Sequence, residues 1–548
     1  MFSFDPLYQP HPSNRYTLAS RGGMVATSNA LASAAGAELL RQGGNAVDAA
    51  VATAAALTVV EPTANGIGGD AFALVWMQGE GKVHGLQSGG CAPRAISREA
   101  VAQQHATMPQ YGWTPITVPG APAAWAALIE KFGNKTLAEC LAPAIRYANE
   151  GFPVAATVAH MWERAYYKYK KMPNPDGVFD GFFRTFGRFG AGARQAKEGA
   201  AGAPKPFQMI ALPDHAASLV EIGETNSAAF YRGTLAEAID RASLKYGGYL
   251  RATDLAAHSV HWTAPISINY RGYDILELPP SNQGLVALMA LNIMKNFPVD
   301  RRDALYYHRA METMKLAFAD GKRYITDPAA MGVSVSDLLS DAYAKERAAL
   351  IGSRAQAFAP GRPHGSNTVY LATGDRDGNL VSMIQSNYMG FGSGVVVKNT
   401  GIALHNRGAD FSLDPSDYNV LAPGKRTYHT IIPGMIAQNG RGLAAFGVMG
   451  AYMQPQGHFQ VVSNLLDFHE NPQMALDAPR WQWMQGCEFL LEDSFPAAEA
   501  QALLRRGHKL SRPAESVLFG RGQIILRNED GVLLGGTESR TDGNIALV

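Results

Sequence analysis

The chain has 548 residues, 47% of them hydrophobic and 17% charged, so it can bury a sizeable core and lacks the composition of a disordered polypeptide. Its formal net charge is +1 at pH 7 and it carries no run of lysines and arginines, which argues against a nucleic-acid surface. At roughly 150 residues per domain, the length fits two to four domains or one large intertwined unit.

The opening residues, MFSFDPLYQPHPSNRYTLAS, contain no basic segment leading into an apolar one, so no secretory leader is expected and the expected setting is cytoplasmic. Met24 to Leu40 has helical spacing and stops near Gly43-Gly44, as glycines close a helix. Asn45 is placed to cap the next helix, Asp48 to Val60, which stops before Pro62. The apolar stretch Val47 to Val60 falls short of the roughly 20 residues of a membrane span and reads as a buried helix. Asn65-Gly-Ile-Gly-Gly-Asp70 and a strand-like run, Ala71 to Trp76, come next. A dinucleotide fingerprint needs strand, glycines and helix in that order. Here the glycines follow a helix and precede a strand, so a tight, closely packed turn is expected and no nucleotide site.

The middle of the chain, from about residue 120 to 350, reads as mainly helical, with amphipathic spacing in Thr136 to Asn149 and Tyr306 to Phe318. Ser281 to Lys295 forms a further helix after the Pro279-Pro280 break. Residues 352–366, ending APGRPHGS, have the composition of a flexible connector. Beyond it the character changes. Thr368 to Thr373 and Leu380 to Ser386 read as the two strands of a hairpin around Asp375-Arg-Asp-Gly-Asn379. Further strands are expected at 401–405, 429–437, 441–448 and 523–535, which gives an α+β class.

Several side-chain groups read as structural. Cys91, Cys140 and Cys487 are too few and too scattered for a disulfide framework or a zinc site. The histidines show no metal-binding spacing, so no metal and no other cofactor is expected. His308 and Glu312, four residues apart, read as a helix-face contact. Tyr166, Tyr167 and Tyr169, among Lys168, Lys170 and Lys171, read as a solvated helix face.

Long collinear stretches carry a resemblance. They are GGMVAT at 22–27, QGGNAVDAAVA at 42–52, EPTANGIGGDAF at 61–72, VPGAPAAW at 118–125, AFYRGTLAEAI at 229–239, METMKLAFADGKRYITDP at 311–328, SNTVYLATGDRDGNLVSMIQSNYMGFGSG at 366–394 and DAPRW at 477–481. From about residue 23 onward the chain resembles the gamma-glutamyltransferase family of N-terminal-nucleophile hydrolases. The resemblance implies a four-layer αββα sandwich. It also implies self-cleavage between Asn367 and Thr368 into a large chain, 1–367, and a small chain, 368–548, woven into one unit. Two such pairs would make a heterotetramer. The family's threonine stands seven residues before the Asp of an Asp-x-Asp-Gly-Asn turn, and counting back from Asp375 gives Thr368.

The chemistry fits that position. A threonine hydroxyl needs an adjacent base to attack a carbonyl. A free α-amine, with a pKa near 7.7–8.0, is about one-tenth neutral at pH 7 and supplies that base within the same residue. The hydroxyl attacks an amide, and the acyl-enzyme is released to water or to an amine. By resemblance, Ser386 hydrogen-bonds the nucleophile, and the backbone N–H groups of Gly450 and Ala451, in Gly447-Val-Met-Gly-Ala451, hold the oxyanion. Alanine disfavours the positive φ that glycine adopts there.

The substrate positions depart from the family. The expected carboxylate-binding arginine falls on Gly89, the serine pair on His429 and Thr430, and the glutamyl-recognising Asn and Gln on Tyr388 and Arg407. Asp410 keeps its place as the partner of an amino group. The segment from Ser412 to Gly424 is shorter than the lid of many members, which implies a more open pocket. These departures, with MGAYMQPQGHFQV at 449–461, bring the chain nearer the acylase and oxamate amidohydrolase-like branch. The expected activity is hydrolysis of a small-molecule amide with an anionic acyl group, recognised by Arg407, His429 and Tyr388. Two alternatives remain: a gamma-glutamyltransferase or glutathione hydrolase, and an unprocessed non-catalytic binding protein. No nucleic-acid or membrane partner is expected.

Overall fold

The structure, a computed structural model, describes residues 15–190, 201–358, 368–513 and 516–548. Two seven-stranded antiparallel sheets form its centre. One runs Leu18–Ser20, Leu533–Thr537, Arg521–Arg527, Arg441–Met449, Gly434–Gln438, Tyr273–Glu277, Ile266–Tyr270. The other runs Asn544–Leu547, Gly23–Thr27, Val369–Asp375, Leu380–Ser386, Asp70–Met77, Lys82–Ser88, His261–Thr263. Both sheets draw strands from before and after Thr368.

Side chains alternate across a strand, and the alternation shows how the layers are made. In Val369–Asp375, Val369 and Leu371 enter the core shared with the N-terminal helices, while Tyr370 and Ala372 enter the core between the sheets. Asp70–Met77 divides likewise, with Ala71, Ala73 and Val75 on the helical side and Phe72, Leu74 and Trp76 between the sheets. In Arg441–Met449, Ala444, Phe446 and Val448 pack with the helices Gly284–Met294, Ala304–Tyr324 and Met453–Leu466, while Ala445 and Met449 meet the facing sheet. Three cores thus separate four layers, helix–sheet–sheet–helix, and the expected αββα sandwich is what the chain forms. The helix Ala46–Val60 is buried along its whole length. Among the described residues no helix is long and apolar enough to cross a membrane.

Local signals placed several helices well. Asn45 caps Ala46–Val60 through a capping box with Asp48, and Thr136 caps Leu137–Glu150 through one with Glu139. Others need correction. The expected helix Met24 to Leu40 is a strand, Gly23–Thr27, followed by a helix, Ala30–Arg41, that starts at the cap Asn29. Pairing with Val369–Asp375 on one side and Asn544–Leu547 on the other overrides the helical spacing there. Residues 401–405 make only isolated bridges, and of 429–437 only Gly434–Gln438 is a strand, beginning after Pro433. The run 523–535 is two strands turning at Gly531, φ +78°.

The tyrosine-lysine helix is a solvated face only in part: Tyr167, Lys168, Lys170 and Lys171 are exposed, but the other two tyrosines are not. Tyr166 and Tyr169 are buried, and the Tyr169 hydroxyl donates to the carbonyls of Gly390 and Gly392 at 2.8 and 3.2 Å. His308 and Glu312 are also more than a surface pair. With His508 and Lys315 they form a buried cluster in which His308 Nδ1 meets His508 Nε2 at 2.8 Å and Lys315 pairs with Glu312. The cluster holds the described start of the connector: His308 Nε2 meets the Gly352 carbonyl at 2.9 Å, and Lys315 Nζ donates to that of Gln356 at 2.5 Å.

Candidate active site

Thr368 is wholly buried at the entrance to the strand Val369–Asp375. The register pairs Val369 with Gln385, so Thr368 lies opposite Ser386, the last residue of the neighbouring strand. Thr368 Oγ1 and Ser386 Oγ are 3.0 Å apart, and Ser386 Oγ also accepts the Tyr388 N–H at 2.8 Å. Asn367, expected on the other side of the scissile bond, lies outside the described residues.

Gly450 and Ala451 form the turn between the strand Arg441–Met449 and the helix Met453–Leu466, with φ of +137° and +52°. Ala451 therefore takes the left-handed conformation despite its Cβ. Among the described residues, neither N–H donates a hydrogen bond. The Ala451 carbonyl is held at 2.8 Å by Gln283 Nε2, which also donates to the Thr430 carbonyl at 2.6 Å, and Gln283 Oε1 accepts the Tyr428 hydroxyl at 3.0 Å. Gln283 thus ties this turn to the 428–430 segment.

Around Asp410 the structure gathers three more of the expected residues, Tyr388, Arg407 and Thr430. The Tyr388 hydroxyl donates to Asp410 Oδ1 at 2.6 Å, joined there by the Tyr452 hydroxyl at 3.1 Å. Arg407 NH1 donates to Asp410 Oδ2 at 3.1 Å and to Thr430 Oγ1 at 2.8 Å, and its guanidinium lies 4.1 Å over the Tyr388 ring. Arg407 is 1% exposed, yet its Nε and NH2 have no partner among the described residues. Tyr388 sits at φ +70°, a conformation costing about 1–3 kcal/mol for a bulky residue, which its contacts to Ser386 and Asp410 enforce.

His429 is turned elsewhere. Its Nε2 lies 2.9 Å from Asp70 Oδ2, to which His405 Nδ1 also approaches at 3.4 Å. Burial penalises charge on all three groups: it raises Asp70 to about 7 against the pull of Arg407, lowers His405 to about 3, and holds His429 well below the ordinary imidazole range. The His429 ring packs 4.4 Å from Phe72. A Cβ built on Gly89 would stand 3.1 Å from each ring. The space where the expected arginine would begin is thus filled by His429 and Phe72.

Sequence reasoning passed over Asp70, His405, Gln283, Tyr428, Tyr452 and Lys322. Asp70 was in view as the end of a glycine turn, and Gln283 stood among polar residues between Pro279-Pro280 and an apolar helix. Beyond Asp410 opens a cavity of about 640 Å³, lined among others by Lys322, Asn419, Tyr428 and Tyr452.

A threonine leading an inner strand of an αββα sandwich, bonded to a hydroxyl on the neighbouring strand, defines the N-terminal-nucleophile hydrolase class. Comparison with known proteins narrows this. The gamma-glutamyltranspeptidase family model matches residues 32–548. The glutathione hydrolase-like YwrD proenzyme of Bacillus subtilis is 37% identical over 530 residues, covering 95% of this chain and 97% of its own. The oxamate amidohydrolase proenzyme of Klebsiella pneumoniae is 33% identical over 548 residues, covering 98% and 99%. The crystal structure of cephalosporin acylase from Bacillus halodurans superposes with a TM-score of 0.93 at 53% identity, covering 100% of this chain and 99% of that one. The chain belongs to the gamma-glutamyltranspeptidase family and is an autoprocessing N-terminal-nucleophile amidohydrolase or acylase.

Proposed function

We propose that the chain cuts itself between Asn367 and Thr368, leaving pieces 1–367 and 368–548 interlocked, and that Thr368 then hydrolyses small amides with an anionic acyl group. The new α-amine takes the hydroxyl proton as Thr368 Oγ1 attacks the carbonyl, and Ser386 orients that hydroxyl. The N–H groups of Gly450 and Ala451 face the developing oxyanion, helped by the positive end of the Met453–Leu466 helix. The proton passes to the departing amine, and water then releases the acid from the threonyl ester.

The observation that carries the anionic reading is Arg407: a buried guanidinium with Nε and NH2 unpartnered beside Asp410. Burying such donors without partners is costly, and an incoming carboxylate would relieve the cost. The free thiols Cys91, Cys140 and Cys487 fit a reducing compartment, and we place the enzyme in the cytoplasm.

Denaturing electrophoresis of purified protein tests the processing: wild type should give two pieces and Thr368→Ala one. For the acyl group, Arg407→Ala should reduce kcat/KM on anionic amides about 10- to 150-fold more than on matched neutral ones. Equal losses across the series would remove Arg407 from substrate recognition.

A further inference from the structure

Gln283 precedes the helix Gly284–Met294, and its side chain is wholly buried with both polar atoms engaged. Its Nε2 donates to the Thr430 carbonyl at 2.6 Å and to the Ala451 carbonyl at 2.8 Å, and its Oε1 accepts the Tyr428 hydroxyl at 3.0 Å. Residues 429–432 do not depend on these bonds. The His429 N–H donates to the Ser281 carbonyl, the Gln283 N–H to the His429 carbonyl, Asn282 Nδ2 to the Ile431 carbonyl, and the Ile432 N–H to Gln454 Oε1. Ala451 is held differently. Among the described residues its carbonyl accepts one other hydrogen bond, from the Gln454 N–H at 3.1 Å, within its own turn. Ala451 sits at φ +52°, a conformation that glycine takes freely and that the Cβ of alanine opposes. Among the described residues, Gln283 is thus the one group from beyond the turn and its helix that fixes the Ala451 carbonyl.

The same bond closes a ring. Tyr452 donates to Asp410, Arg407 donates to Asp410 and to Thr430 Oγ1, and Gln283 joins Thr430 to Ala451, the neighbour of Tyr452. Thr368 is joined to this ring through Ser386, whose Oγ accepts the Tyr388 N–H, and through the Tyr388 hydroxyl on Asp410. Side chains therefore tie the turn carrying the Gly450 and Ala451 N–H groups to the neighbours of Thr368 along two routes. One runs through Tyr452 and the other through Gln283.

We propose that Gln283 is a positioning residue: by bonding the Ala451 carbonyl it holds that alanine in its left-handed conformation and keeps the Gly450 and Ala451 N–H groups turned toward the oxyanion formed when Thr368 attacks. This rests on the reading of Thr368 as nucleophile and of the two N–H groups as oxyanion donors. Gln283 itself touches no reacting atom. Its loss acts on the step in which charge develops and leaves ground-state binding nearly alone.

The test compares wild type, Gln283→Met, Ala451→Gly and the double variant, with the fastest-cleaved of acetyl, glutaryl and γ-glutamyl p-nitroanilide as substrate. Binding of butylboronic acid, which adds to a threonine hydroxyl as a tetrahedral anion, is measured beside that of pentanoate, its planar counterpart. Gln283→Met should lower kcat about 10- to 100-fold, change KM less than about threefold, weaken the boronate by the same factor as kcat and leave pentanoate binding nearly as it was. Glycine takes a positive φ without the tie, so in the Ala451→Gly background the loss from Gln283→Met should shrink to about threefold or less. Gln283→Glu, which keeps the side chain's length and the acceptor for Tyr428, replaces Gln283→Met if that variant does not fold, and should behave the same way. A kcat indifferent to Gln283, equal losses of boronate and pentanoate binding, or a loss undiminished in the Ala451→Gly background overturns the proposal. A folded wild type that cleaves none of the anilides and binds no boronate overturns the Thr368 reading and the proposal with it, whereas wild-type cleavage that is indifferent to Gln283 overturns the proposal alone.

Discussion

Replacing Ser386 by alanine removes one oxygen from the point where two functions meet. In the folded chain that oxygen is 3.0 Å from Thr368 Oγ1 and accepts the Tyr388 N–H at 2.8 Å. In the mechanism we propose, the first contact orients the attacking hydroxyl, and losing a neutral hydrogen bond of about 0.5–1.5 kcal/mol should slow attack about 2- to 13-fold. The second contact fastens Tyr388, which is 3% exposed, so its N–H would be left without an acceptor at a cost of about 1–3 kcal/mol in stability. The two effects separate in experiment. The rate of appearance of the 368–548 fragment and the single-turnover acylation rate report the first, and the denaturation midpoint reports the second. Ser386→Thr keeps the oxygen and should restore both. Wild-type processing and acylation rates in a folded Ser386→Ala protein would refute the role of Ser386. A loss beyond about a thousandfold would refute the magnitude and put Ser386 in the proton path itself.

Asp70 carries a pH signature. Its folded pKa is raised to about 7, so it contributes stability below its unfolded value near 4 and loses that contribution as pH rises through 7. The Tm of Asp70→Asn relative to wild type should therefore climb between pH 4 and 7 and then level; a flat difference curve would contradict the raised pKa. Gly447→Ala places a Cβ 2.4 Å from Tyr370 Cε2, on a ring whose hydroxyl is anchored 2.8 Å from Ser382 Oγ, and should cost about 1–3 kcal/mol of overpacking, seen as a lower denaturant midpoint at unchanged slope. Gly89→Arg should destabilise by a similar amount because of Phe72 and His429. The double variant Gly89→Arg, His429→Ser should recover part of the loss, since the two positions compete for one space.

What the sequence made legible was local or locally anchored. Asn45 and Thr136 announce helix starts because a cap and its N3 carboxylate lie within four residues. Thr368 could be singled out because the spacing implied by the family resemblance, counted back from the Asp-x-Asp-Gly-Asn turn, falls where the connector meets the strand. The strand Gly23–Thr27 could not, because what makes it a strand is the pair of strands beside it, Val369–Asp375 and Asn544–Leu547. Tyr169 misled for the same reason: a helix face that alternates tyrosine and lysine looks solvated until residues 390–392 cover it. Lys322, Gln283 and Asp70 acquire meaning only through partners more than a hundred residues distant, and no spacing rule connects Asp70 to His429 or Gln283 to Ala451.

The two halves of the site rest on different supports. Thr368 and Ser386 are fixed by strand register: Val369–Asp375 is paired on both sides, its alternate residues fill two cores, and a slip of one residue would exchange them. The Thr368 hydroxyl therefore cannot drift without disturbing the sandwich. Most of the groups we propose to recognise the acyl chain stand on segments outside the ladders, 387–391, 405–411 and 428–430, joined by side-chain bonds such as Arg407 to Thr430 and Gln283 to Ala451. On the proposed reading, substitution there should alter which acyl group is held and leave the register of Thr368 alone. Gly89 and His429 illustrate the coupling such change requires: where an arginine would have to enter, a histidine ring and Phe72 already occupy the volume, and the histidine's polarity is answered by Asp70 instead of by substrate. A single substitution at either position leaves a clash, a void or an unpaired buried group, so on the proposed reading specificity at this site changes by sets of residues while Thr368 stays where the sheet puts it.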